Sequence, residues 1–173
     1  MRWTLAPAPA TVQRIRNRAL ESPAMSTALH LAKPGDLGRL LPLIAAHHAE
    51  QGVEQSDEAR ADALCPLLDE SPHGVAYLIG PARAPVGYVI VTFGWSLAFG
   101  GLDGTVEELY IRPAVRRRGM GSDLLHALPR ALGGAGLRAL HFDVDRGNAS
   151  AQRLGTRAGF TAHEGTMRMT RRL

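Results

Sequence analysis

Cysteine is all but missing from this chain of 173 residues. Cys65 stands alone, which excludes an intrachain disulfide and any cysteine-built metal cluster, and fits a reducing compartment. Lysine is as scarce: Lys33 is the only one, and arginine supplies the rest of the positive charge. No apolar run approaches the roughly 20 residues of a membrane span. The longest, Val86 to Phe93, is strand-sized and interrupted by Gly87 and Thr92. The expected location is therefore the cytoplasm, with no membrane partner. An excess of one charge is also missing where it would matter. The formal net charge is +4, but Arg2, Arg14, Arg16 and Arg18 face only Glu21 before residue 28. The remainder is close to neutral, which argues against a nucleic-acid partner. What is present is an ordinary globular mixture, 45% hydrophobic and 21% charged, so wholesale disorder is excluded. The length suits one domain with a substantial core.

Residues 1–27 read as an extension preceding a domain that spans 28–173. Ala6-Pro7-Ala8-Pro9-Ala10 and the arginines after it show no sustained apolar period. The arginines also break the apolar centre that a secretory signal needs. Two readings stay open: an organellar transit peptide, or a start placed too early, with Met25-Ser26-Thr27 as the true beginning. Under either, the segment is expected to be disordered and to lie outside the fold.

The domain alternates strands and helices. Ala28 to Ala32 reads as a strand, and Leu37, Leu40, Leu41 and Ile44 form an i, i+3, i+4, i+7 helical stripe after Asp36. Ser56-Asp57-Glu58 opens a second helix, which Pro66 should shorten or kink. Val75 to Ile79 and Val86 to Trp95 are strands, and the Gly-rich Phe99 to Gly104 connects to a fourth, Val106 to Arg112. A helix over Gly119 to Leu132 follows, although Pro129 is awkward there. Then come a fifth strand (Leu137 to Val144), a short helix (Ala149 to Ala158) and a final hairpin (Phe160 to Arg172).

The chemistry concentrates in Glu107-Glu108-Leu109-Tyr110-Ile111-Arg112-Pro113-Ala114-Val115-Arg116-Arg117-Arg118-Gly119-Met120-Gly121. Here a strand gives way to an arginine-rich loop and then to a helix. The first-turn amides of a helix have no internal partner and lie at the positive end of its dipole. Gly119 and Gly121 leave room for a pyrophosphate to approach those amides. Leu124 stands where a dinucleotide fingerprint wants its third glycine, and no Gly-Lys-Ser/Thr marks a triphosphate loop.

Arg116-x-x-Gly119-x-Gly121, followed by Asn148-x-x-Ala151-x-x-Leu154 and Ala158-Gly159-Phe160, resembles the GNAT superfamily of acyl-CoA-dependent N-acetyltransferases. The resemblance covers residues 28–173 in element order. It implies a mixed α/β fold: a mostly antiparallel central sheet, flanked by helices, whose fourth and fifth strands splay apart. Acetyl-CoA, as co-substrate and without a metal, would lie in that gap. The resemblance places cofactor contacts on Leu109, Tyr110 and Ile111, on the loop Arg116, Arg117, Arg118, Gly119, Met120, Gly121 and Ser122, and on Asn148. Many relatives carry a general-acid tyrosine where this chain has Gly155.

A protonated primary amine cannot attack a thioester, so a carboxylate near the thioester is expected to take its proton. Strand alternation puts Glu107 and Glu108 on opposite faces, so one of them should face the pocket. Similarity to the polyamine-type branch, which carries an acidic pair here, favours Glu107, with Glu108 as the alternate. His47-His48 read as packed or rim histidines with no metal. Tyr77, Trp95 and Phe99 read either as an aromatic wall or as sheet core. The expected reaction is acetyl transfer to a small primary amine by direct attack in a ternary complex. A protein N-terminus or lysine as acceptor, and a non-catalytic acyl-CoA-sensing module, remain as alternatives. A homodimer is compatible with this reading.

Overall fold

The computed structural model describes residues 10–18, 28–163, 165 and 168–171. One five-stranded sheet organises them in the order β1-β2-β3-β4-β5. Its strands are β1 (Leu29–Leu31), β2 (Gly74–Ile79), β3 (Gly87–Ser96), β4 (Gly101–Ile111) and β5 (Ala139–Phe142). The helices are α1 (Ala10–Arg18), α2 (Leu37–Gln51), α3 (Asp57–Leu68), α4 (Met120–Gly134) and α5 (Ala149–Arg157). All neighbouring strands are antiparallel except β4 and β5, which run parallel.

The interior strand β2 is buried throughout, and its alternation divides the core in two. Val75, Tyr77 and Ile79 join Leu124, Leu128 and Leu132 of α4 on one face. Ala76 and Leu78 join Leu40 and Leu43 of α2 and Leu64 and Leu68 of α3 on the other. Ser56 caps α3 by accepting from the Ala59 amide at 3.2 Å. Pro66 lies near the end of α3 and Pro129 inside α4, and neither stops its helix.

Two expectations about the chain ends meet the structure differently. Ala10–Arg18 is helical rather than disordered, and it packs on α4. Ile15 is 0% exposed and belongs to the core cluster, with Val12 buried one turn earlier. Two apolar residues at i, i+3 are too few to announce a helix, but docking on a preformed surface needs no more. Residues 1–9 and 19–27 lie outside the described ones. At the other end, the expected hairpin over 160–172 is not seen: among the described residues after Phe160 none is in a strand. The Gly-rich stretch before β4 also differs, because Gly101–Gly104 pairs with β3 and extends the strand.

Candidate active site

The β4–β5 pairing runs only from Asp103↔Ala139 to Val106↔Phe142. β4 continues five residues further without β5 beside it, so the two strands part where the sequence placed the splay. The ladder fixes what faces that gap. The Arg112 amide donates to the Val86 carbonyl at 2.8 Å. By antiparallel alternation Tyr110 and Glu108 then share their backbone bonds with β3, while the amides of Leu109 and Ile111 point into the gap. Tyr110 is thus turned away, contrary to its expected place among the cofactor contacts. Its ring is buried on the α2 side, stacked on His47 at 5.4 Å.

Beyond β4, a turn at Pro113–Val115 leads to α4. Arg117 and Gly119 take positive φ, 63° and 87°, and so swing the chain into the first turn of α4. The helix starts when the Asp123 amide bonds the Gly119 carbonyl at 2.9 Å. The amides of Met120, Gly121 and Ser122 precede that bond and stay outside the helical ladder. A Cβ on Gly121 would stand 3.5 Å from Leu154 and 3.7 Å from Ile111, ordinary contacts. Arg116 is engaged by the protein itself. Its Nε donates to the Ile111 carbonyl at 2.6 Å and its Nη2 to both Glu50 oxygens at 2.9 and 2.7 Å, over the Tyr110 ring. Arg117 and Arg118 are exposed. Asn148 caps α5, its Oδ1 accepting from the Ala151 amide at 3.0 Å.

On the opposite face lies a cleft of about 280 Å³ between α2, α3 and the β3–β4 pair. Ile44, Leu64, Leu67 and Ile90 give it apolar walls. His48, Arg60, Glu107 and Glu108 give it charge and hydrogen bonds. Both glutamates line it, although strand alternation admits only one. The reason is a β-bulge: Ile90 pairs with Glu108 and Val91 with Val106, so Glu107 is the extra residue. The bulge inverts the alternation, leaving Val106 on the α4 face and Glu108 on the α2–α3 face.

Glu108 is the acceptor at the centre of a chain of donors. Arg60 Nε donates to His48 Nδ1 at 3.3 Å, so the ring proton sits on Nε2, which donates to Glu108 Oε1 at 2.9 Å. The Tyr88 hydroxyl donates to Glu108 Oε2 at 2.5 Å and itself accepts from His47 Nδ1 at 2.9 Å. His47 stays 3.8 Å from the carboxylate and reaches it through the Tyr88 hydroxyl. Burial alone would raise the Glu108 carboxyl, but these partners together outweigh burial and hold it at about 2. Burial, and next the Glu108 charge, push the Tyr88 phenol far up. Glu107 stands exposed on the bulge. His48 lines the cleft and His47 packs on Tyr110, as packed or rim histidines, but a bulge and a relay cannot be read from residue spacing.

The aromatic-wall reading fails. Tyr77 is buried in the core and Trp95 is 71% exposed, and none of the three aromatics lines the cleft. At Gly155, where the resemblance leads one to expect a tyrosine, a Cβ would press the Phe142 ring at 3.3 Å. Among the described residues no group of three or more His, Cys, Asp or Glu could hold a metal. Among them, too, no helix is long and apolar enough to cross a membrane.

Comparison with known proteins fits this geometry. Residues 41–160 match the profile of the acetyltransferase (GNAT) family. Mycothiol acetyltransferase of Amycolatopsis mediterranei (strain U-32) is 31% identical over 125 residues, 68% of this chain but 39% of its own length. An integron cassette protein from the mobile metagenome of Cole Harbour Salt Marsh is 29% identical with a TM-score of 0.72, covering 84% of this chain and 90% of that one. An aminoglycoside N-acetyltransferase solved with CoA shares the fold at a TM-score of 0.71 and 16% identity, over 86% of this chain and 97% of its own. With a splayed sheet, a glycine-gated helix start and a family profile over most of its length, this chain belongs to the GNAT acetyltransferase family.

Proposed function

We propose that the protein transfers an acetyl group from acetyl-CoA to a small primary amine, with Glu107 as proton acceptor. The observation that carries the assignment is the occupancy of its neighbour. Both oxygens of Glu108 already hold a donor, and its carboxyl sits at about 2, too acidic to take a proton efficiently. Glu107 lines the same cleft on the bulge and belongs to no such network among the described residues.

The β4–β5 gap fits the pantetheine arm of acetyl-CoA, because the amides of Leu109 and Ile111 face it as an unfilled ladder edge. The Ile111 amide is placed to hydrogen-bond the thioester carbonyl and to stabilise the negative charge that develops there. The α4 amides, with Arg117 and Arg118, receive the pyrophosphate. Arg116 ties the loop to Glu50 and to the end of β4.

Deprotonating an amine of lysine-like basicity at neutral pH costs about 4 kcal/mol. Glu107 accepts that proton as the nitrogen attacks the thioester carbon. The C–N bond forms, the C–S bond breaks, and CoA leaves as thiolate. Holding both reactants in place contributes roughly 7–11 kcal/mol in such transfers. The small molecule in the name of the 31% identical relative, a mycothiol acetyltransferase, supports a small acceptor.

Release of CoA thiol, measured with acetyl-CoA and a panel of primary amines, tests the reading. Turnover that Glu107→Gln lowers roughly 100-fold supports it. Firm acetyl-CoA binding with no turnover of any amine would favour a sensing module.

A further inference from the structure

We infer that the acceptor is a compact primary amine that also carries an anionic group, and that Arg60 receives that group; this rests on the acetyl-transfer reading above. Arg60 stands in the first turn of α3 and lines the cleft with its side chain only 11% exposed. Its Nε is engaged by His48 and its Nη1 by Asp57 at 2.7 Å. The rest of its five N–H donors have no acceptor among the described residues. Asp57 is 74% exposed, so solvent weakens that pair. Glu108 compensates Arg60 only through the intervening His48 ring.

The cleft therefore holds two charges with unused hydrogen-bonding capacity, a carboxylate at Glu107 and a guanidinium at Arg60. Ile44, Leu64, Leu67 and Ile90 supply an apolar surface in the same cavity. A volume of about 280 Å³ falls just below the usual range for ligand pockets. An amine with a short apolar body and a carboxylate satisfies every feature. A polyamine or polycationic sugar would bring a second positive charge into the cleft with Arg60, a repulsive element against that class. A plain alkylamine would desolvate the guanidinium without pairing it.

Calorimetry on the CoA-loaded protein tests this with three probes: leucine, isopentylamine (the same body without the carboxylate) and 1,5-diaminopentane. Leucine is expected to bind at least tenfold more tightly than isopentylamine, with the diamine weakest. Arg60→Gln should bring leucine and isopentylamine within about threefold of each other. Equal or tighter binding of isopentylamine or the diamine to the wild-type protein overturns the inference. So does a leucine preference that survives Arg60→Gln. The wild-type comparison decides alone should the variant not fold. Thiol release separates the two readings. A leucine preference in binding with no turnover overturns acetyl transfer, whereas better turnover of isopentylamine overturns only the role of Arg60.

Discussion

Arg60 Nε donates to His48 Nδ1 at 3.3 Å, and that bond decides which proton His48 presents to Glu108. Because an arginine can only donate, His48 must carry its own proton on Nε2 and pass it toward the carboxylate. Tyr88 does the same from the other side, backed by His47. Two independent donor chains converge on one carboxylate. The adjacent glutamate, one residue earlier on the bulge, keeps a carboxylate exposed to the cleft.

The two glutamates should separate in kinetics. Glu107→Gln is expected to lower kcat roughly 100-fold with acetyl-CoA affinity unchanged. Glu108→Gln should chiefly lower melting temperature, because charge-assisted bonds of about 1.5–3 kcal/mol each are replaced by weaker ones. Steady-state kinetics beside thermal melts check this. Full activity in Glu107→Gln would transfer the base to another group.

Acid should unfold the protein partly through Glu108. Its carboxyl falls from the ordinary 4.5 to about 2 on folding, so the stabilisation is complete above about pH 4.5. It is lost as pH drops toward 2, and amounts to about 3 kcal/mol at most. Urea midpoints at pH 7, 4 and 3 should show the gap between wild type and Glu108→Gln narrowing with acid. A gap that stays constant would mean the network does not hold the carboxyl down.

Gly121→Asp should abolish acetyl-CoA binding without unfolding the chain. The contacts of a Cβ there are ordinary, and an acid in the first turn of a helix is favourable. Near-native melting with lost calorimetric affinity is the expected pair of results. Unchanged affinity would remove the pyrophosphate from this helix start.

Ile15→Ala should destabilise by about 2–5 kcal/mol, the range for truncating a fully buried aliphatic side chain. Deleting residues 1–18 should lower the melting temperature at least as much, since Val12 and Ile15 are both buried. A truncated protein that melts like the full chain would show that α1 contributes nothing to the core.

Gly155→Tyr should lower the melting temperature rather than raise the rate, because even its Cβ would press the Phe142 ring at 3.3 Å. In the wild type, the rate should rise with pH and then level, with no falling limb near pH 10 from loss of a tyrosine proton. A falling limb removed by substituting another tyrosine would identify a different acid.

The order of elements was legible because each rests on local chemistry: apolar period, proline and glycine breaks, a serine cap. The loop Arg116 to Gly121 was legible for the same reason, since glycines before a helix expose its amides whatever surrounds them. The N-terminal helix was not, because Val12 and Ile15 acquire a face only once α4 offers one. Nor was the role of Arg116, whose partner Glu50 lies 66 residues away in sequence.

The amino-acid sequence by itself determined the fold class, the family motif, the glycine-bounded start of the helix after the fourth strand and the acidic pair on that strand. Tertiary structure alone decided how that pair is placed. The bulge at Glu107 breaks the alternation that residue spacing assumes. The donors that hold Glu108 arrive from Tyr88 on β3 and from His48 on α2, with Arg60 of α3 behind it. Alternation and helical period describe neighbours along one element. The protonation of a carboxylate depends on what other elements bring within hydrogen-bonding distance, and packing sets that.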